Sequence, residues 1–360
     1  MKKKIALLLA LVLALSLTTC GNTGADTPPA DTKEPAGDTS GDSGDAPSFE
    51  PMTLTFSMTE AEGGTVAQGM DLMKEYISEA TGGAVTVDTY YASSLMAQDM
   101  EIESIMKGTL SMNSCWFDWL SPYMEKLNVL NVPYLFSNWD HMKAYFSSEE
   151  AAALCDEIAE TTGVHVFTPV YYKGARCINL TKDIKVTSRA DLNGIKIRMP
   201  GSEAWQNMGT ALGANPVPLG VSELYLSLQT GSVDGQDNGF ATTRAFSFHE
   251  VTKSVTVTGH MIGAGFVTIS ESQWQSMSPE LQKIVQEGVA KGCDYITEAT
   301  LAQEADDVAF FEEQGLSVYY LTDEELSAYR QEVTDYYFSQ ESWVNGLDME
   351  LYDLIANMDY

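Results

Sequence analysis

The sequence is poor in basic residues and in histidine. Only 20 Lys and Arg residues stand against 51 Asp and Glu residues in a chain of 360, so the formal net charge is −31 at pH 7. A surface this acidic repels phosphate backbones, which argues against nucleic acid as a partner. The four histidines are scattered without the spacing of metal ligands, and the sequence lacks G-x-S-x-G, phosphate-loop and H-E-x-x-H motifs. We therefore expect no enzymatic activity, no metal site and no cofactor.

Cysteine is scarce as well, with five residues in the chain. Cys115, Cys155, Cys177 and Cys293 show no C-x-x-C spacing and no neighbouring histidine cluster, which argues against metal and redox sites. We interpret these four as buried free thiols, with a disulfide as the alternative.

The N-terminal segment indicates export. Residues 1–20, "MKKKIALLLALVLALSLTTC", begin with three lysines, continue in an apolar run of signal-peptide length and end at Cys20. The run is several residues too short to span a membrane. The "LTTC" of residues 17–20 resembles a bacterial lipobox, in which the cysteine receives a diacylglycerol. We therefore predict a signal peptide over residues 1–19 and a lipidated Cys20, with plain secretion as the alternative.

The next segment has almost nothing to bury. Residues 21–49 are rich in Gly, Pro, Ser, Thr and Asp, a composition typical of disordered chain. We predict that residues 20–50 form a disordered acidic tether that holds a folded domain at the outer face of a membrane, on a Gram-positive surface or in a periplasm.

Strand and helix patterns alternate through the remainder of the chain. Strand patterns occupy residues 52–58, 84–91, 109–115, 163–172, 176–181 and 194–199, and helical patterns occupy residues 65–83, 98–108 and 293–315. Such alternation predicts an α/β fold with parallel strands and helices on both faces of the sheet.

A candidate anion site follows from this arrangement, because ligands of open α/β sheets bind beyond the carboxyl ends of strands. Arg198 lies at the end of the strand pattern "GIKIRM", one residue before its last, and Ser202 can cap the helix that follows. The aromatic cluster "CWFDW" (115–119) follows another strand pattern. A guanidinium, a helix N-terminus and aromatic side chains together suggest a pocket for a carboxylate.

One long segment carries a family resemblance. Residues 191–238, "DLNGIKIRMPGSEAWQNMGTALGANPVPLGVSELYLSLQTGSVDGQDN", resemble the signature region of the solute-binding proteins of tripartite ATP-independent periplasmic (TRAP) transporters. The resemblance extends over about residues 52–340 and includes "VPYLF" (132–136) and "GARCINL" (174–180). It implies a two-lobed periplasmic-binding-protein-like fold with crossing strands and a long lobe-bridging helix. The implied division assigns residues 52–172 and 265–300 to lobe 1, and residues 173–264 and 301–360 to lobe 2.

The resemblance also implies roles for individual residues. Arg198 matches the family's main anchor for the substrate carboxylate, Arg176 matches an assisting arginine, and Asn238 matches a residue that contacts the same carboxylate. Asp237 stands where the family usually has Glu, and Gly239 where Pro is frequent. The alternative for each is structural, as an ion pair, scaffold or turn residue.

Three further residues are candidates for the pocket wall. Trp116 and Phe117 lie nearest the strand end and are either wall or core. Glu60, like its neighbour Glu62, either accepts a substrate hydroxyl or amine or belongs to a solvated loop.

The resemblance implies a function without catalysis. The chain is expected to close around a small organic acid and deliver it to the small and large membrane subunits of a sodium-coupled transporter. Oxo acids, hydroxy acids, dicarboxylates and sugar acids all suit one arginine anchor. The alternatives are a sensor that presents ligand to a receptor kinase or chemoreceptor, and a hydrolase or lyase on the same fold.

Overall fold

The computed structural model describes residues 49–360, and these contain twelve strands in two sheets. The predicted signal peptide, Cys20 and nearly all of the predicted tether lie outside the described residues. Within residues 49–360, no helix combines the length and the apolar character needed to cross a membrane. The strands are β1 (Met52–Ser57), β2 (Val85–Tyr90), β3 (Met112–Cys115), β4 (Val164–Val166), β5 (Tyr171–Ala175), β6 (Ile178–Leu180), β7 (Lys196–Met199), β8 (Asn215–Pro218), β9 (Gly235–Gln236), β10 (Ser254–Val257), β11 (Ile262–Ser270) and β12 (Ser317–Tyr320).

Helices separate most of these strands along the chain. They are α1 (Thr65–Ala80), α2 (Glu101–Met106), α3 (Trp139–Phe146), α4 (Glu149–Thr162), α5 (Glu203–Ala211), α6 (Leu224–Thr230), α7 (Phe240–Ala245), α8 (Glu271–Ser276), α9 (Pro279–Glu313), α10 (Asp323–Phe338), α11 (Glu341–Val344) and α12 (Met349–Ala356). Short 3₁₀ turns supplement them, among them Phe117–Trp119 and Glu125–Asn131.

Each sheet forms the centre of one lobe, and neither sheet is wholly parallel. In the first lobe the strand order is β2-β1-β3-β11-β4, with β5 also paired to β11. In the second lobe the order is β12-β10-β6-β9-β7-β8. Strands β1, β2 and β3 run parallel as expected, but β11 is antiparallel to β3, β4 and β5, and β6 is antiparallel to β9 and β10. The antiparallel pairs arise because β6, β10 and β11 belong to the chain segments that cross between lobes.

Two adjacent crossings connect the lobes. Strand β5 of the first lobe leads through Arg176 and Cys177 into β6 of the second, and β10 of the second lobe leads through residues 258–261 into β11 of the first. The crossings are hydrogen-bonded to each other, since the backbone N–H of Arg176 donates to the carbonyl of Met261 at 2.9 Å and that of Gly259 donates to the carbonyl of Arg176 at 3.1 Å. The two-lobed fold with crossing strands is therefore confirmed.

Helix α9 bridges the lobes. It begins after Ser278, whose hydroxyl accepts from the N–H of Leu281, and its 35 residues make it roughly 50 Å long. Its first half packs on α1 and the first sheet, and its end places Phe311 in the core of the second lobe. Helices α1 and α9 meet at glycines: a methyl group on Gly69 would lie 2.6 Å from the carbonyl oxygen of Gly292. The expected lobe-bridging helix is thus present and closely packed.

The C-terminal helices contact both lobes. In α10, the Tyr329 hydroxyl donates to the carbonyl of Leu212 at 3.0 Å, next to α5 of the second lobe. In α12, the carbonyl oxygen of Ile355 lies 2.8 Å from Nε2 of His141, which belongs to α3 of the first lobe. The assignment of residues 301–360 to lobe 2 stays a prediction.

The four described cysteines, Cys115, Cys155, Cys177 and Cys293, are buried free thiols, as we expected. Burial raises the pKa of the Cys155 thiol to about 12, so it stays protonated at neutral pH.

Candidate functional site

Arg198 lies near the carboxyl end of β7, between β8 and β9. Its side chain is 2% exposed, and its Nε donates to the Leu219 carbonyl at 2.7 Å. None of the ion pairs within residues 49–360 involves Arg198. Burial lowers the pKa of this guanidinium to about 10, which leaves it charged at neutral pH. No carboxylate of the described chain lies within ion-pair distance of this buried cation, and such a cation is costly, which makes Arg198 the natural centre of an anion site.

Arg176 lies in the first crossing, and it lines the same cavity between the lobes as Arg198. Its guanidinium donates to Oδ2 of Asp237 at 2.8 Å and to Oδ1 of Asn238 at 3.4 Å. The guanidinium carbon stands 4.2 Å from the centre of the Trp205 ring, a cation–π contact. These three contacts hold the second arginine in one orientation.

Asp237 and His260 support Arg176 from the protein interior. Both are fully buried, and His260 Nε2 lies 3.7 Å from Oδ2 of Asp237. Burial alone would raise the pKa of Asp237, but Arg176, His260 and Arg198 outweigh it and hold that pKa below the usual range. Burial also lowers the pKa of His260, so the imidazole is neutral at pH 7. One carboxylate therefore offsets the charge of two neighbouring arginines.

Asn238 completes this part of the site. Its backbone and side-chain N–H groups both donate to Oε1 of Gln236, at 2.6 and 2.7 Å, and its carbonyl accepts from Asn179 at 2.8 Å. The side-chain oxygen is thereby turned toward Arg176.

The two lobes enclose a cleft of about 700 Å³ of atom-free space, part of it continuous with solvent. Of the residues that the sequence suggested, Arg198, Arg176, Asn238, Trp116 and Glu60 line the cleft together.

Phe117 and Asp237 do not line the cleft, so their expected contact with a ligand needs correction. Phe117 is fully buried and stacks on Phe146, with ring centres 5.3 Å apart. Trp116 occupies the wall instead, with its indole N–H donating to Asn131 at 3.1 Å. Asp237 lies behind Arg176, because its buried carboxylate is the partner of that arginine.

Three residues that line the cleft were not predicted from the sequence: Lys173, Asp118 and Trp205. Each lies close in sequence to a residue that was identified, Lys173 before Arg176, Asp118 within "CWFDW", and Trp205 in the helix after Arg198. Proximity to those motifs was the available signal.

Asp118 links the lobes across the cleft. It is 2% exposed, and its Oδ2 accepts from the Ser202 hydroxyl at 3.2 Å. Ser202 occupies the N-cap position of α5 as predicted, but its side chain makes no capping hydrogen bond; its hydroxyl donates to Asp118. Burial raises the pKa of Asp118 to about 7.

Two α/β lobes joined by paired crossing strands, with buried arginines facing the cleft between them, define a two-lobed binding protein for an anionic small molecule. Residues 56–342 match the model of the family described as bacterial extracellular solute-binding protein, family 7 (DctP). The chain belongs to this family, and the expected relationship to the solute-binding proteins of TRAP transporters is confirmed.

Several relatives are similar over most of their length. The sialic acid-binding periplasmic protein SiaP of Vibrio cholerae is 28% identical over 268 residues, which are 74% of this chain and 83% of SiaP. A TRAP periplasmic solute-binding protein of Roseobacter denitrificans with bound 3-deoxy-D-manno-oct-2-ulosonic acid is 32% identical, with a TM-score of 0.80 over 85% of this chain and 99% of that one. A second protein of that organism, with bound L-galactonate, is 26% identical, with a TM-score of 0.75 over 85% and 100% of the two chains.

Proposed function

We propose that this chain captures a small organic acid in the cleft, with the ligand carboxylate held in a two-pronged contact by Arg198 and assisted by Arg176 and Asn238. The observation that carries the proposal is the buried guanidinium of Arg198, which makes no ion pair within the described chain and lines the cleft. A carboxylate supplied by a ligand matches the guanidinium in shape and charge.

We propose further that the acid is a sugar acid. This rests on the relatives, whose names or bound ligands are sialic acid, 3-deoxy-D-manno-oct-2-ulosonic acid and L-galactonate. Aromatic walls from Trp116, Trp119 and Trp205 support it, because they offer apolar surface to the carbon skeleton of such a ligand.

Ligand binding should drive closure of the lobes about the two crossings, since a ligand that touches both lobes favours the closed form. The proposed lobes are residues 52–172 with 265–300, and 173–264 with 301–360. The closed protein would then deliver its ligand to the small and large membrane subunits of a sodium-coupled TRAP transporter. This part of the proposal is supported by family membership.

The location of the protein is also part of the proposal. We infer that residues 1–19 are removed on export, that Cys20 is lipidated, and that the acidic tether up to residue 50 holds the domain at the outer face of the cell membrane. Replacing Cys20 with Ala should move the protein from the membrane fraction to the soluble extracytoplasmic fraction. Retention of the variant in the membrane fraction would argue against the anchor.

A thermal-shift screen tests the binding function. Sugar acids, hydroxy acids and dicarboxylates are compared with their neutral analogues on the wild type and on Arg198→Lys, which keeps the charge but loses the planar fork. An acid present at a hundred times its Kd stabilises the wild type by about 2.7 kcal/mol, and the Arg198→Lys shift should be much smaller. Arg189→Lys, a change outside the cleft, is the control. Equal shifts in wild type and Arg198→Lys would refute the role of Arg198, and consumption of the acid during the assay would favour the enzyme alternative.

A further inference from the structure

A second charged group faces the cleft besides the two arginines. Glu60 follows β1, Lys173 is the central residue of β5, and Lys173 Nζ lies 2.6 Å from Oε1 of Glu60. Their side chains are 12% and 22% exposed, so the pair is largely shielded from solvent. Both residues line the same cavity as Arg198.

The pair retains hydrogen-bonding capacity toward the cavity. An ammonium group has three donors, and Lys173 uses one of them, for Glu60, within the described residues. Oε2 of Glu60 accepts only a long contact of 3.4 Å from the Thr59 hydroxyl among those residues. The pair therefore offers both donors and an acceptor to a ligand.

The charge of the pair determines which ligand group suits it. Glu60 and Lys173 neutralise each other, in contrast to the arginines at the other part of the cavity. A second carboxylate on the ligand would be attracted by Lys173 but repelled by Glu60. An ammonium group on the ligand would be attracted by Glu60 but repelled by Lys173. A hydroxyl group accepts from Lys173 and donates to Glu60 without either repulsion.

The pair also lies away from the carboxylate anchor. Lys173 precedes Arg176 by three residues of nearly extended chain, a separation of up to about 10 Å. Glu60 and Lys173 also line a smaller adjoining cavity, together with Thr242 and Phe246. Neither Arg198 nor Arg176 lines this smaller cavity. A ligand whose carboxylate contacts Arg198 would thus reach the pair with atoms remote from that carboxylate.

We propose that the Glu60–Lys173 pair determines specificity by binding a hydroxyl group remote from the ligand carboxylate, so that the protein selects polyhydroxylated acids over unsubstituted acids, dicarboxylates and amino acids of similar length. This inference rests on the proposed function, since it concerns the other end of the same ligand.

Calorimetric titration of the purified protein with matched six-carbon acids tests the inference. Galactonate supplies hydroxyls, hexanoate has none, adipate adds a second carboxylate and 6-aminohexanoate adds an ammonium group; glucuronate and 3-deoxy-D-manno-oct-2-ulosonic acid extend the hydroxylated set. The wild type should bind at least one hydroxylated acid at least about tenfold more tightly than the other three.

Two single variants then remove each half of the pair. Lys173→Met and Glu60→Gln should each weaken the affinity for the tightest-binding hydroxylated acid by about 10- to 100-fold, which is the loss expected for hydrogen bonds to charged groups. The affinity for hexanoate should change by less than about threefold. Lys185→Met is the matched control, because Lys185 pairs with Glu325 at 2.7 Å and lines none of the cavities described. If a single variant melts early without ligand, the double variant Glu60→Gln/Lys173→Gln, which keeps the size of both side chains, replaces it.

The outcomes separate this inference from the function on which it rests. If hydroxylated acids bind but the cleft variants weaken hydroxylated acids and hexanoate equally, or weaken neither, the specificity role is wrong while the binding function stands. If the wild type prefers adipate, hexanoate or 6-aminohexanoate, the inference is wrong as well. If no acid of the panel binds, both the sugar-acid proposal and this inference fall.

Discussion

Replacing Asp237 with Asn should destabilise the protein, because one buried carboxylate offsets two cations. Asp237 is fully buried and lies 2.8 Å from Arg176. It also raises the pKa of Arg198, which means that it stabilises the charged form of that arginine. The amide keeps the shape of the side chain but leaves both guanidinium groups without their compensating charge.

The expected loss follows from the burial of the groups. Removing one partner of a buried ion pair costs about 3–5 kcal/mol. Arg176 is partly solvated, with 17% of its side chain exposed, so the lower end of that range, about 3 kcal/mol, is appropriate here. With an unfolding entropy of about 2.1 cal/mol/K per residue over residues 49–360, a loss of that magnitude lowers Tm by about 5 °C.

Thermal unfolding of wild type and Asp237→Asn between pH 3 and pH 7 provides the assay. The pKa of Asp237 is lower in the folded protein than in the unfolded chain. Its contribution is therefore fully present above the unfolded pKa of about 3.9 and is lost as the pH falls through the folded value. The Tm difference between the two proteins should be constant from pH 5 to pH 7 and should shrink below about pH 4.

Asp307→Asn is the matched control. Asp307 is also a buried carboxylate beside one arginine, at 2.6 Å from Arg244, but that arginine is 44% exposed. Burial raises the pKa of Asp307, so ionising it is unfavourable in the folded state, and its replacement should change stability by less than about 1 kcal/mol. An Asp237→Asn protein as stable as the wild type at pH 7 would refute the reasoning, as would equal losses in the two variants.

Three further predictions concern other parts of the molecule. Gly69→Ala should lower the free energy of unfolding by about 1–2 kcal/mol, because overpacking against the backbone of Gly292 costs about 2–3 kcal/mol and the gain in helix propensity returns roughly 1 kcal/mol. Urea denaturation measures the change, with Gly201→Ala, a substitution into open space, as the control. An unchanged midpoint for Gly69→Ala would contradict the prediction. The four described cysteines should react with a thiol reagent only when the protein unfolds. A colorimetric thiol titration of native and denatured protein measures this, and fast reaction of the native protein would contradict their burial. Because the pKa of Asp118 is about 7, a nearby anionic ligand should bind up to about tenfold more weakly at pH 8 than at pH 6. Asp118→Asn should abolish this pH dependence of the Kd. Calorimetry that finds the same pH dependence of the Kd in both proteins would contradict the prediction.

The local elements and the main anchor could be predicted because each depends on residues that are close in sequence. Buried residues in α1 recur at Val66, Met70, Met73 and Ile77, the period of an amphipathic helix. Arg198 was identified because it lies near the end of a short strand pattern and precedes a helix, and both elements are present. The two-lobed architecture followed from the family resemblance rather than from any local pattern.

The polar pairs across the cleft could not be predicted in the same way. Glu60 and Lys173 are 113 residues apart, and Asp118 and Ser202 are 84 apart, so no periodic pattern relates their side chains. The correction for Phe117 has a similar origin. Adjacent residues at a strand end point to opposite sides, and the sequence does not say which of Trp116 and Phe117 faces the cleft.

The role of Arg198 as the carboxylate anchor can be tested with a crystal structure of the protein with a bound sugar acid. We predict that the ligand lies between the lobes, with both carboxylate oxygens within hydrogen-bond distance of the Arg198 guanidinium and at least one within reach of Arg176 or Asn238. A ligand whose carboxylate contacts other residues, while Arg198 keeps only its bond to the Leu219 carbonyl, would contradict it.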